Sequence, residues 1–120
     1  EAALPLFRAI GNRLGEANTL KSLGDLSLRE DNIEEADSFY DQAEALYRQI
    51  GGLVGLLNTL HSRAVLARLQ DDLATACQHY TNLWELADGT AYENNPVVMG
   101  WRQEAAELNC EVAPAATSSP

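Results

Sequence analysis

Residues 9–20 read AIGNRLGEANTL and residues 49–60 read QIGGLVGLLNTL. Displaced by forty positions, the chain matches itself without a gap. The pairs run from Ala3/Ala43, Leu6/Leu46, Arg8/Arg48 and Ile10/Ile50 through Gly11/Gly51, Gly15/Gly55 and Asn18/Asn58. They continue through Thr19/Thr59, Leu20/Leu60, Leu26/Leu66 and Asp31/Asp71 to Ala36/Ala76, Tyr40/Tyr80 and Leu46/Leu86. A fixed period of this length marks an architecture in which each unit buries its apolar face only against its neighbours.

Inside one period the apolar residues fall at helical spacing: Leu20, Leu23, Leu26 and Leu28, then Ile33, Ala36, Phe39, Tyr40, Ala43, Leu46, Tyr47 and Ile50. Each unit therefore reads as two helices. Asn32 with Glu35 three residues on is a capping-box arrangement for the second helix. Gly11, Gly51 and Gly89 follow the last apolar residue of a helix, where a left-handed cap favours a residue without Cβ. Gly15 and Gly55 sit at the entry of the next helix, where close backbone approach would call for glycine. Asn94-Asn95-Pro96 opens a last helix with a cap and a proline in its first turn. The expectation is an all-α chain with a helix near 2–10, pairs at 15–30 with 33–50 and 55–70 with 73–88, and a final helix near 96–110. The implied divisions are 1–11, the second helix of a truncated repeat; 12–51 and 52–90, full units; 91–111, a terminal capping helix; and 112–120, a tail or linker whose Pro-containing composition also suits a groove ligand.

Composition narrows the function classes. The 120 residues carry 18 acids against 8 lysines plus arginines, a formal charge of −10, which disfavours phosphate backbones and anionic lipid surfaces. Neither nucleic acid nor membrane is an expected partner, and no uncharged stretch is long enough to span a bilayer. The opening Glu-Ala-Ala-Leu-Pro has no basic n-region before an apolar run, so no secretion signal is expected, and the chain reads as cut from something longer. Cys77 and Cys110 are too few for a disulfide framework and lie in helix-like sequence, so free thiols and a cytoplasmic location are expected.

The pattern Leu20, Leu23, Gly24, Ala36, Tyr40, Ala43 resembles the tetratricopeptide repeat in its long forty-residue form, as in kinesin light chains, Leu-Gly-Asn repeat proteins and the sensor arrays of bacterial signalling ATPases. The second unit keeps Leu60, Ala64, Ala76 and Tyr80, but Arg63 stands at a large apolar position and Leu83 at a small one. Trp101, Ala105 and Leu108 continue the pattern after a one-residue slip. The resemblance implies a right-handed superhelical solenoid of antiparallel helix pairs, with the first helix of each pair lining a concave groove. By alignment it implies groove positions Asn18, Lys21, Asp25, Leu28 and Arg29 from the first unit and Asn58, His61, Val65, Arg68 and Leu69 from the second.

No cofactor, metal site or catalytic set is expected. His79 replaces Phe39 and reads as a packing residue, and Cys77, His79 and Cys110 lack the second close pair that zinc ligation uses. The acids Glu34, Glu35, Asp37, Asp41 and Glu44 read as a solvated helix face. Trp84 and Trp101 read as closing residues of the stack. Asn18 and Asn58, identical in both units, suit paired donor and acceptor bonds to an extended backbone. The cations Arg13, Lys21, Arg29, Arg63 and Arg68 outnumber Glu16, Asp25 and Glu30 on the groove-lining helices, so an acidic peptide is the favoured ligand. The expected function is a non-catalytic protein-protein interaction scaffold binding a peptide or helix in the groove. The alternative is a structural or sensor segment of a larger signalling regulator. Self-association is expected through exposed repeat ends, including Leu4, Leu6, Phe7 and Ile10.

Overall fold

The computed structural model describes residues 3–110, with side-chain surroundings from residue 11 onward. The tail at 112–120 and the side chains of Leu4, Leu6, Phe7 and Ile10 lie outside the described residues. Among the described residues the fold is all-α: α1 (Ala3–Arg29), α2 (Ile33–Ile50), α3 (Leu53–Leu69), α4 (Leu73–Ala87) and α5 (Pro96–Glu107). None of these helices is long and apolar enough to cross a membrane. The chain forms two compact units, the first running to Thr59 and the second starting at Leu60, so the division falls within α3.

One expected boundary is absent. The break at Gly11 does not occur, and α1 continues through Gly11 and Gly15 to Arg29. The counterpart Gly51 does end α2, in the left-handed region at φ 72°. The difference lies in the next residue. At 51–52 a second glycine follows, and a Cβ on Gly52 would stand 3.0 Å from the Tyr47 ring. At 11–12 Asn follows, and a Cβ at Gly11 or Gly15 would meet no described atom within 4 Å. A lone glycine costs a helix only about 1 kcal/mol relative to alanine, too little to end it without a competing contact.

In the first unit, α1 and α2 pack through a phenol ring on a missing side chain. Tyr40 is fully buried, and a Cβ on Gly24 would lie 2.6 Å from its ring. Tyr47 repeats the arrangement one helix on, its ring occupying the space a Cβ on Gly55 would take. The expected close approach at Gly55 is thus to a ring and not to a backbone, and Gly15 has no such neighbour among the described residues. In the second unit Tyr80 is held between Ala64 of α3 and Ala105 of α5, with Leu108 and Cys110 packed against the cluster.

The chain reversals are the clearest trace of the repeat. Asp31, Asp71 and Asn109 all adopt positive φ, at 64°, 59° and 62°. Each is followed by an amide that reaches back five residues: Asn32 to the Ser27 carbonyl, Asp72 to Ala67 and Cys110 to Ala105. This is the six-to-one closure of a left-handed helix end. Helix α5 thus ends as α1 and α3 do, with Cys110 at the position of Asn32 and Asp72 in the same closure. The caps differ in detail. Asp72 accepts from the Thr75 amide and Asn95 from those of Val97 and Val98, whereas the Asn32 side chain makes no cap bond, and Glu35 accepts instead from the Ser27 hydroxyl.

These contacts rank substitutions. Gly11→Ala and Gly15→Ala should each stabilise the protein by about 0.5–1 kcal/mol, since both lie within one helix with open space around them. Gly51→Ala, at positive φ, should destabilise it, and Tyr40→Ala should cost about 3–5 kcal/mol by emptying a buried site. Urea unfolding of the four variants measures this directly. A destabilised Gly11→Ala would show that α1 is broken there.

Candidate functional site

A concavity of the first unit, about 550 Å³, lies along α1 and the start of α3. From α1 it is lined by Leu14, Asn18, Lys21, Ser22 and Asp25, spaced three or four residues apart and therefore on one helix face. From the other side come Tyr47, Gly52, Leu53, Val54, Gly55 and Asn58. Leu14 and Val54 are 43% and 50% exposed, so the walls offer apolar surface as well as amides and charges.

The two asparagines are not equivalent. The Tyr47 hydroxyl donates to Asn18 Oδ1, which occupies the oxygen and leaves Nδ2 as the donor end. Asn58 Nδ2 donates to the Val54 carbonyl at 3.0 Å within its own helix, which leaves Oδ1 as the acceptor end. Across the groove the pair thus presents one donor and one acceptor. Asn18 therefore has a structural use as well, because it anchors the phenol at the groove floor. At position 87, forty residues after Tyr47, the chain has Ala, so this anchor occurs once. Burial raises the Tyr47 pKa above the ordinary phenol value, and the Asp25 carboxylate adds to the shift. Lys21 Nζ donates to Asp25 Oδ2 at 2.8 Å, and Tyr40 donates to the other Asp25 oxygen. Lys21 therefore brings little net charge to the groove.

Four of the ten positions expected by alignment, Asn18, Lys21, Asp25 and Asn58, meet at this groove. Arg29 lines a shallower surface on α1 with Leu23 and Leu26. Leu28 and Val65 are half-buried and Leu69 is exposed, none of them lining the groove.

His61 and Arg68 belong to a separate cluster in the second unit. His61 stacks on Trp101 at 4.4 Å between ring centres, and its Nε2 lies 2.9 Å from Glu104 Oε1. The same oxygen accepts from the Tyr80 hydroxyl at 3.0 Å and stands 3.6 Å from Arg68 Nη1. Burial raises the Tyr80 pKa; the hydrogen bond from Arg68 opposes that shift and the one to Glu104 reinforces it. Glu104 is the residue that sequence reasoning missed. It stands in α5 where the end-of-helix register puts Leu26 and Leu66, so the signal was an acid at an apolar repeat position. Trp101 packs inward on His61, and the buried Trp84 ring lies under the Arg102 guanidinium at 4.7 Å.

The expected free thiols are also corrected. Cys77 of α4 and Cys110 form a disulfide with their Cα atoms 5.3 Å apart. Sequence gave no reason to pair them, because the turn that brings Cys110 back onto the cluster depends on the left-handed Asn109. Among the described residues no group of three or more His, Cys, Asp or Glu side chains is arranged to hold a metal ion.

Two measurements follow. Tyr47→Phe should cost about 0.5–1.5 kcal/mol through the lost bond to Asn18, and Asn58→Ala, whose bond is local and exposed, should cost less. For pH the sign is set by Tyr47 and Tyr80, both raised above 10.0. Above that pH the unfolded chain releases phenolic protons that the folded chain keeps, so stability should hold to about pH 10 and fall beyond it. Thermal melts from pH 8 to 11.5 check the decline, which should be shallower in Tyr47→Phe.

Comparison with protein-family models, with curated proteins and with solved structures gives no match for this chain.

Proposed function

We propose that this protein is a non-catalytic interaction module of the tetratricopeptide type, taking an extended peptide segment in the groove between α1 and the start of α3. The observation that carries the proposal is the donor–acceptor pair that Asn18 Nδ2 and Asn58 Oδ1 leave available once Tyr47 and Val54 have taken their other ends. A peptide unit presents one carbonyl and one amide, so this pair would read backbone, and Leu14 and Val54 would receive apolar side chains beside it. The recurrent reversals at Asp31, Asp71 and Asn109 and the ring-on-small-residue packing of Tyr40 and Tyr80 support the repeat assignment, and with it the superhelical stacking of helix pairs.

An acidic peptide remains the favoured partner class, with a modest preference. Lys21 is neutralised by Asp25, and Arg68 stands close to Glu104, so the exposed Arg13 and Arg29 carry the remaining steering. A second reading, a structural or sensor segment within a larger signalling array, is favoured by the apolar face of α1. Leu23 and Leu26 are 37% and 46% exposed there, whereas Leu66, the counterpart of Leu26, is 3% exposed. The cytoplasmic address expected from unpaired thiols loses its premise once Cys77 and Cys110 are joined.

Panning a peptide library at low and moderate salt tests the proposal. The parent should select extended peptides with acidic and apolar residues, more weakly as salt rises, and Asn18→Ala with Asn58→Ala should reduce affinity at least tenfold while leaving the fold intact by circular dichroism. Selection of basic peptides, or unchanged affinity in the double variant, would overturn the groove assignment.

A further inference from the structure

Helix α5 is weakly anchored by its own packing. It has 12 residues, of which Val98 and Ala105 are buried, while Val97 and Met99 are 59% and 46% exposed. A helix this short is marginal in water without tertiary support. It is also tied by side chains at the edge of the core: Glu104 to Tyr80 and His61, Trp101 on His61, and Arg102 over Trp84, with Leu108 packed just beyond its end.

The repeat shows what is different here. After Asp31 and Asp71 the chain enters a second helix, and in the first unit that helix covers α1 by seating Tyr40 on Gly24. After Asn109, the residue in the corresponding place is Cys110, bonded to Cys77 on α4. The third reversal is thus tied covalently to α4 at its last described residue. The loop it closes is long, with a sequence separation of 33, and in the chain-entropy picture such a cross-link shifts an opening equilibrium by roughly 10²–10³-fold.

We propose that the Cys77–Cys110 disulfide is the fastener of α5, and that its reduction selectively loosens that helix and uncovers the Tyr80 face on which it lies. The step is thiol–disulfide exchange with a dithiol. One thiolate of the reagent attacks a cysteine sulfur and the Cys77–Cys110 bond breaks; the reagent's second thiolate then attacks its own sulfur in the mixed disulfide and releases the remaining cysteine. Cys77 and Cys110 take up two electrons and two protons as free thiols, and the reagent leaves as its own disulfide. What opens is the surface formed by Ala64 and Tyr80, buried against Ala105 in the oxidised protein.

Amide hydrogen exchange on the oxidised and the dithiothreitol-reduced protein, resolved by segment, tests this. Amides of α5 should exchange at least tenfold faster after reduction, with those of α2 unchanged as an internal control. Cys110→Ser should show the fast α5 exchange without reductant and be insensitive to it, and Cys77→Ser should behave alike. Two titratable thiols persisting after exposure to oxidised glutathione would overturn the proposal. So would α5 exchange unaltered by reduction, or an equal rise in α2, which would make the bond a support of the whole fold instead of a fastener of one helix.

Discussion

A tyrosine ring needs room that a neighbouring helix must give up, and the described packing turns on that constraint. Tyr40, Tyr47 and Tyr80 each lie where the opposing residue is Gly24, Gly55 or Ala64. The ring supplies the apolar burial, and the small residue sets how closely the helices approach. Because each phenol also carries a hydroxyl, the contact must end on an acceptor at the edge of the core. Tyr40 ends on Asp25, Tyr47 on Asn18 and Tyr80 on Glu104. Packing therefore dictates where polar groups stand on the accessible face.

That coupling explains why the candidate site is a mixture of structural and available groups. Asn18 is half committed to a phenol and keeps its amide nitrogen for a ligand, whereas both oxygens of Asp25 are taken, one by the Tyr40 hydroxyl and one by Lys21. The Asn18 side of the groove is preorganised, since that side chain is already held by the buried Tyr47, whereas Asn58 is held by the Val54 carbonyl of its own helix. In the second unit the corresponding ending is Glu104, and it gathers His61, Arg68 and Tyr80 on one oxygen. Chemistry there is directed inward, toward holding α5, whereas in the first unit part of it faces the groove.

Much of this was legible in the sequence because it is local or periodic. The helices from 33 onward and the left-handed glycine cap at Gly51 follow from spacing and from the size of single side chains, whereas α4 is capped by Asp88, one residue before the expected Gly89. What was not legible depended on a neighbour in space. Gly11 looks like Gly51 until the contact of Gly52 with Tyr47 is seen, and without such a contact helix propensity carries α1 straight on. The phenol partner of Asn18 lies 29 residues away, and Cys110 reaches Cys77 only because Asn109 turns the chain back.

The reversals carry one further consequence, for mechanical compliance. The turns that end α1, α3 and α5 are built on Asp31, Asp71 and Asn109, residues that enter the left-handed region at an energetic cost and within a narrow basin. The turns that end α2 and α4 are built on Gly51 and Gly89, for which that region is broad and free of Cβ strain. Backbone stiffness is therefore distributed alternately along the chain: each reversal after an odd-numbered helix resists bending, and each after an even-numbered one yields. Under load the chain should give first at its glycines, keeping the tyrosine contacts within each stiff hairpin intact.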